Sequence, residues 1–214
     1  MKAYRVHEYG DAAKFIGEEV SKPSAKQGHV VVEVKASSLN PVDHKLLKCD
    51  LGINPALPGI LHMDVSGVIT EVGKGVTAFK TGDEIYGCAG GLQGEAGNIE
   101  GALADFMLAD SNLIALKPKS LSFSESAALP LVTITAWEGL FDRAHVKKED
   151  HVLIHGGTGG VGHIAIQLAK QHGARVATTV SSEEKAKIAR GLGAEDVIFY
   201  RDEKVEDYTQ RLTK

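Results

Sequence analysis

The apolar positions of this 214-residue chain change period along its length, and each change predicts a different kind of element. Up to about residue 118 the pattern is one of short alternating runs broken by polar and glycine turns. Residues 3–7, 15–20 and 29–36 are the first three predicted strands; in the third, Val30, Val32 and Val34 alternate with Val31, Glu33 and Lys35. Residues 66–72, closed by Gly73-Lys-Gly75, form a fourth, and 84–88, 104–109 and 113–116 complete the series. Many short strands at this spacing predict a closed or partly closed β-barrel. Near Pro118 the texture turns to small-residue helical segments at 122–129 and 133–141, so the domain boundary is placed between residues 118 and 119.

The third texture begins at His151. A short apolar run, Val152 to Ile154, breaks at a glycine cluster in which Gly157, Gly159 and Gly162 are spaced G-x-G-x-x-G, with Gly160 and Val161 inside the motif. A helix-period pattern follows, with Val161, Ile164 or Ala165, Leu168 and Ala169 on one face. This predicts a buried strand, a tight turn, and a helix whose free N-terminal amides form a pyrophosphate cradle. The context agrees: the helix ends at Gly173, a strand spans 175–180, and the next helix opens with Ser181-Ser-Glu-Glu184, a capping-box spelling. That helix stops near 191–193 and a third strand spans 197–200. The class is therefore α/β, a β-barrel followed by the first half of a Rossmann unit. After Tyr200 comes a polar segment, 201–214, that reads as the start of a helix with Val205, Tyr208 and Leu212 as its apolar positions.

Charge and composition narrow the partners. A net charge of -4 with scattered Lys and Arg offers no nucleic-acid or anionic-membrane surface. No window approaches the roughly 18 apolar residues of a membrane span. The N-terminus enters strand-like alternation directly, and Cys49 and Cys88 are widely separated, which together predict a cytoplasmic protein with reduced thiols. Neither cysteine reads as a nucleophile.

Five stretches carry a resemblance: Ala36-Ser-Ser-Leu-Asn-Pro-Val-Asp43, Met63-Asp-Val-Ser-Gly-Val-Ile-Thr-Glu-Val-Gly-Lys-Gly-Val76, Phe79-Lys-Thr-Gly-Asp-Glu-Ile-Tyr-Gly87, Ala127-Ala-Leu-Pro-Leu-Val-Thr-Ile-Thr-Ala-Trp137 and the glycine motif. In their order and spacing the chain resembles the medium-chain dehydrogenase/reductase superfamily, within it the zinc-independent quinone oxidoreductase branch. The resemblance implies an N-terminal GroES-like β-barrel that carries substrate and a Rossmann domain that carries NADP, with a small-molecule substrate and a homodimeric full-length form. Zinc-dependent members hold their metal with a cysteine and a histidine where this chain has Asn40 and Met63, a poor zinc pair. No cysteine falls between Ala89 and Gly101, where a structural zinc lobe would lie; His44 and His62 read as cleft-wall or surface residues.

The resemblance further places Asn40 beside the nicotinamide as the catalytic residue, its amide bonding the substrate oxygen or fixing the ring, although Asn-Pro also opens ordinary turns. Asp43 reads as a structural acceptor in that loop, and Thr135 matches the threonine near the nicotinamide end. The second Rossmann strand ends in Thr178-Thr-Val-Ser-Ser182, short and neutral where NAD-preferring sites carry an acid. Ser181 and Lys185, with Tyr200 matched through the family, are the residues expected to read a 2′-phosphate; Glu184 is expected to cap the helix from Ser181, and Glu183 to face solvent. The implied activity is NADPH-dependent hydride transfer to a quinone or α,β-unsaturated carbonyl. An enoyl-thioester or alcohol oxidoreductase and a non-catalytic NADPH-binding protein are the alternatives. Because the family's chains run on past this point, the polypeptide is expected to hold one half of the Rossmann sheet, with an exposed sheet edge.

Overall fold

The computed structural model describes residues 1–94 and 97–213. They form two compact units that divide between Leu131 and Val132, later than the change of texture at Pro118.

The first unit is built on a five-stranded antiparallel sheet. β1 (Lys2–Arg5) and β2 (Ile16–Glu19) pair with each other; β3 (His29–Ser38), β4 (Asp64–Val72) and β5 (Glu84–Cys88) form the centre of the large sheet. A short hairpin, β6 (Leu92–Gly94) and β7 (Gly97–Ile99), precedes β8 (Phe106–Asp110) and β9 (Ile114–Leu116). The sheet order is β8-β3-β4-β5-β9, and single bridges at Ala3 with Ala104 and Val6 with Gly59 join the smaller pieces. Val30, Val32, Val65, Ile69, Ile85, Met107 and Ala109 fill the interior. Bulges fall between Val31 and Val32 and between Val34 and Ala36, bending β3 so that alternation alone does not keep one face inward. The hairpin and a helix, α1 (Pro41–Lys48), are additions to the sequence prediction.

Helix α2 (Phe123–Ala127) stays with the first unit. Ser122 and Glu125 close a capping box, and Ser126 is fully buried with its Oγ 2.9 Å from Ser66 Oγ in β4. Helix α3 (Pro130–Trp137) runs on into a π-helical turn, Glu138–Arg143.

In the second unit a three-stranded parallel sheet, ordered β10-β11-β12, is made of β10 (His151–Ile154), β11 (Arg175–Val180) and β12 (Asp196–Phe199). Helices α4 (Gly160–His172) and α5 (Glu183–Leu192) make the crossovers, and α6 (Val205–Leu212) follows β12. Both crossover helices stop at a left-handed glycine, Gly173 at φ 91° and Gly193 at φ 114°, as the glycines predict. The buried face of α4 is Gly162, Ala165, Ile166 and Ala169. This corrects the expected stripe: Val161 is exposed, and Ile164 and Leu168 sit at its margins. Small residues win the interface because α4 approaches the sheet closely, and Ile166 supplies the one large side chain that is fully covered. In α6, Val205 is exposed and Tyr208 and Leu212 are half-buried, so only two of its three predicted apolar positions face inward.

Among the described residues no helix is long and apolar enough to cross a membrane.

Candidate functional site

The glycine turn follows β10. Gly156 takes φ 68°, a conformation that favours glycine, and its N–H is held by Thr179 Oγ1 at 2.9 Å. A Cβ at Gly157 would stand 2.2 Å from Thr178 Oγ1 and 2.8 Å from Ile166 Cδ1; one at Gly162 would stand 2.2 Å from the carbonyl oxygen of Gly156. These two positions need glycine for space. Gly159 is tight against the same carbonyl at 3.2 Å, whereas Gly160 would meet only ordinary contact with Val132. The first bond of α4 runs from His163 N–H to Gly159 O at 3.0 Å, so the amides of Gly160, Val161 and Gly162 have no helical carbonyl to pair with. They and the positive end of the helix dipole could hold an anion.

The threonines ending β11 have a different job from the one the sequence suggests. Thr178 is fully buried and Thr179 is 5 % exposed. Thr178 Oγ1 donates to Ile154 O at 2.6 Å, and Thr179 holds the turn through its hydroxyl to Gly156 and its carbonyl to the Gly157 N–H, at 3.2 Å. They brace the turn from inside the fold. Neutral side chains next to apolar ones carry no sequence signal for this, because the partner lies 24 residues upstream on another strand.

The exposed residues just beyond them converge. Lys185 Nζ reaches back to Ser181 Oγ at 3.1 Å. Ser182, not Ser181, caps α5, accepting from the Lys185 N–H; Lys185 rather than Glu184 therefore occupies the third helical position, and the expected Ser181–Glu184 box is corrected. A Ser-Ser pair offers two caps one residue apart, and the one chosen here frees Ser181 for the lysine. Glu183 pairs with Arg190 at 2.9 Å, which draws its charge along the helix. Tyr200 is 53 % exposed, with its N–H 3.4 Å from Val180 O at the root of Ser181. Arg201 lies over the Tyr200 ring, 5.8 Å from its centroid, a second cation that sequence reasoning missed. Thr135 lies on the exposed side of α3.

In the first unit, Asn40 is the N-cap of α1 rather than a simple turn residue, with Pro41 at the first helical position. Its N–H donates to Asp43 Oδ2 at 2.7 Å, the structural acceptor role expected of Asp43. The side chain of Asn40, 6 % exposed, turns to Asp64, which is fully buried at the start of β4. Asp64 also receives Ser38 Oγ at 2.7 Å and the Leu131 N–H at 2.9 Å. Burial raises the Asp64 carboxyl above its ordinary value, with the hydrogen bonds from Asn40, Ser38 and Leu131 opposing. Burial likewise raises Asp43, against the lowering effects of the Asn40 N–H and of His62, through its charge and its backbone N–H. Burial lowers His62, while Asp43 and Asp64 pull it up; its Nδ1 lies 3.1 Å from Ser37 Oγ. Cys88, opposite Asp64 in the β4–β5 register, is pushed up to about 12 by burial and then by Asp64. Met63 is 7 % exposed and His44 is exposed. Among the described residues no group of three or more His, Cys, Asp or Glu is arranged to hold a metal. Asp64 is the residue the sequence reading passed over, although a carboxylate inside the apolar run from Met63 was a signal in itself.

Two family models match this chain: the alcohol dehydrogenase GroES-like domain over residues 26–119 and the zinc-binding dehydrogenase over residues 160–214. A solved NAD-dependent alcohol dehydrogenase is 31% identical with a TM-score of 0.87, and the alignment covers 100% of this chain and 67% of that one. The chain belongs to the medium-chain dehydrogenase/reductase superfamily. Within this superfamily, 2-methylene-furan-3-one reductase of Solanum lycopersicum is 40% identical over 212 residues, covering 97% of this chain and 54% of that protein. The Escherichia coli quinone oxidoreductase, solved with NADPH, is 28% identical with a TM-score of 0.83, covering 100% of this chain and 63% of that one. The chain thus spans about half the length of the tomato reductase. The two units described above are accordingly the GroES-like part and a partial Rossmann part of the superfamily fold.

Proposed function

We propose that this protein is an NADPH-dependent oxidoreductase that reduces a quinone or an α,β-unsaturated carbonyl without zinc. The observation that carries the cofactor choice is the Ser181–Lys185 pair, a hydroxyl and an ammonium 3.1 Å apart just past the second Rossmann strand. The residues fit a dinucleotide: Gly157 and Gly162 let the turn and the helix pack closely, where a Cβ would strike Thr178 Oγ1 or the Gly156 carbonyl oxygen, and the amides of Gly160, Val161 and Gly162 stand at the free N-terminus of the helix. Lys185 and Ser181 would bind the 2′-phosphate, with Tyr200 beside them. NADPH, when bound, supplies a hydride.

What the protein adds is position and hydrogen bonding. Asn40 supplies an oriented carboxamide for the reacting end, and a substrate already activated by conjugation needs no Lewis acid. An asparagine and a thioether in place of the zinc ligands support the metal-free reading. Relatives named for furanone and quinone reduction support the substrate class. Thr135 as a nicotinamide-end contact, a homodimeric assembly and a reducing cytoplasmic setting, in keeping with two free cysteines, belong to the same proposal.

The test is paired binding of NADPH and NADH to the protein and to Lys185→Ala. A charge-assisted contact to phosphate predicts that the substitution weakens NADPH about ten- to a hundred-fold and leaves NADH within about twofold. Equal loss for both cofactors would refute the 2′-phosphate role of Lys185.

A further inference from the structure

The orientation of Asn40 is settled by its neighbour. Asp64 Oδ2 receives Asn40 Nδ2 at 2.9 Å and Ser38 Oγ at 2.7 Å, and Oδ1 receives the Leu131 N–H at 2.9 Å. The Leu131 N–H can only donate and so makes Asp64 an acceptor at Oδ1; with the Ser38 hydroxyl donating to Oδ2, the carboxylate turns an acceptor towards Asn40, and the inward atom of the Asn40 amide is the nitrogen.

The geometry then separates the two amide hydrogens. Nδ2 lies 2.9 Å from Asp64 Oδ2 and 3.3 Å from Ser38 Oγ, and those oxygens are themselves only 2.7 Å apart. Seen from Nδ2 they are far closer together than the ~120° that separates the two hydrogens of a planar amide. One hydrogen serves both oxygens. The second takes no part in the triangle.

We propose that Asp64 is a positioning residue that grips Asn40 by one N–H and so presents the other N–H to the carbonyl oxygen of the substrate. The inference rests on the reductase activity proposed above. Negative charge grows on that oxygen as the conjugated carbon accepts hydride, and a donor already aimed there stabilises it without reorganising. An ionised anchor also strengthens the hold, since a hydrogen bond to a charged acceptor is about twice as strong as a neutral one.

The triangle can be mirrored, and that provides the experiment. In Asp64→Asn the Leu131 N–H keeps an oxygen opposite it, which leaves a nitrogen facing Asn40 Nδ2 and breaks the grip. The expected result is a kcat about a hundred-fold lower, by analogy with loss of one oxyanion donor, with the KM for NADPH within about twofold. In the double variant Asn40→Asp with Asp64→Asn every donor and acceptor is exchanged, so the hydrogen bonds and the charge return while the spare donor does not. Its thermal midpoint should recover to near the original while kcat stays low. Recovery of kcat together with stability would overturn the proposal, because Asn40 would then act through an acceptor; an undiminished kcat in Asp64→Asn would overturn the role of Asp64. An arm independent of turnover is the side-chain amide NMR signal of Asn40. One proton should be shifted downfield and slow to exchange and the other not, the difference collapsing in Asp64→Asn; two equally protected protons would overturn the orientation. The split signal in a protein that reduces neither quinone nor enone would instead refute the reductase reading and, with it, the presentation to substrate.

Discussion

Substituting Gly162 by alanine sets two opposed effects against each other. In a helix interior alanine is favoured over glycine by about 1 kcal/mol, and Gly162 lies in the first turn of α4. Against this, the new Cβ would lie 2.2 Å from the Gly156 carbonyl oxygen. That oxygen cannot simply withdraw: it accepts the Gly159 N–H at 2.8 Å, and the peptide behind it is tied to Thr179 at 2.9 Å and 3.2 Å. Overpacking of this kind costs about 1–3 kcal/mol, and each turn hydrogen bond lost adds about 1 kcal/mol. The clash therefore wins, for a net loss of about 2 kcal/mol, or a fall of about 4–8 °C in the thermal midpoint of a chain this size. Gly191 is the internal control, since it sits in α5 with nothing within 4 Å of an added Cβ. Gly191→Ala should gain about 0.5–1 kcal/mol and melt a few degrees higher. Circular-dichroism melts of the two variants beside the parent decide the matter. A Gly162→Ala protein that melts at or above the parent would refute the close approach of turn and helix on which the cradle depends.

Two further outcomes follow from the first unit. His62 is held below its ordinary 6.5, so as pH falls through 6.5 the unfolded chain takes up a proton that the folded chain refuses, and stability is lost; Asp43, raised above 3.8, takes its proton first in the folded chain as pH nears that value, and stability is regained. Thermal midpoints measured from pH 7.5 down to about 4 should show His62→Gln flattening the loss and Asp43→Asn reducing the regain, with the part owed to the raised Asp64 remaining; an unchanged profile in either variant contradicts the assignment. Iodoacetamide at mildly alkaline pH should label the exposed Cys49 and spare Cys88, whose thiol is held up to about 12, by roughly a hundred-fold in rate; equal labelling by mass spectrometry would contradict the Asp64 environment.

The second unit was more legible in the sequence than the first, for a physical reason. Its signals are local: a glycine spacing, a left-handed stop at Gly173 and again at Gly193, and a strand after each. The phase of α4 was not legible, since Val161 and Ala165 are both apolar and only the closeness of the sheet selects the small face. In the first unit Asn40-Pro41 reads as a turn opener, yet the same residues with Asp43 spell a helix N-terminus, and α1 was recoverable from them. Asp64 and the threonines at 178 and 179 act through partners 23 or 24 residues away, on other strands or loops, and no periodicity encodes that.

The central claim is tested most directly by following NADPH oxidation by the purified, chelator-dialysed protein with a small panel comprising a quinone, an enone and, in the oxidising direction with NADP, an alcohol. The account predicts turnover with the quinone or the enone, at least about ten-fold slower saturation with NADH at equal concentration, and no response to added zinc. Tight NADPH binding without turnover of any of them, or activity that appears only with zinc, would contradict it.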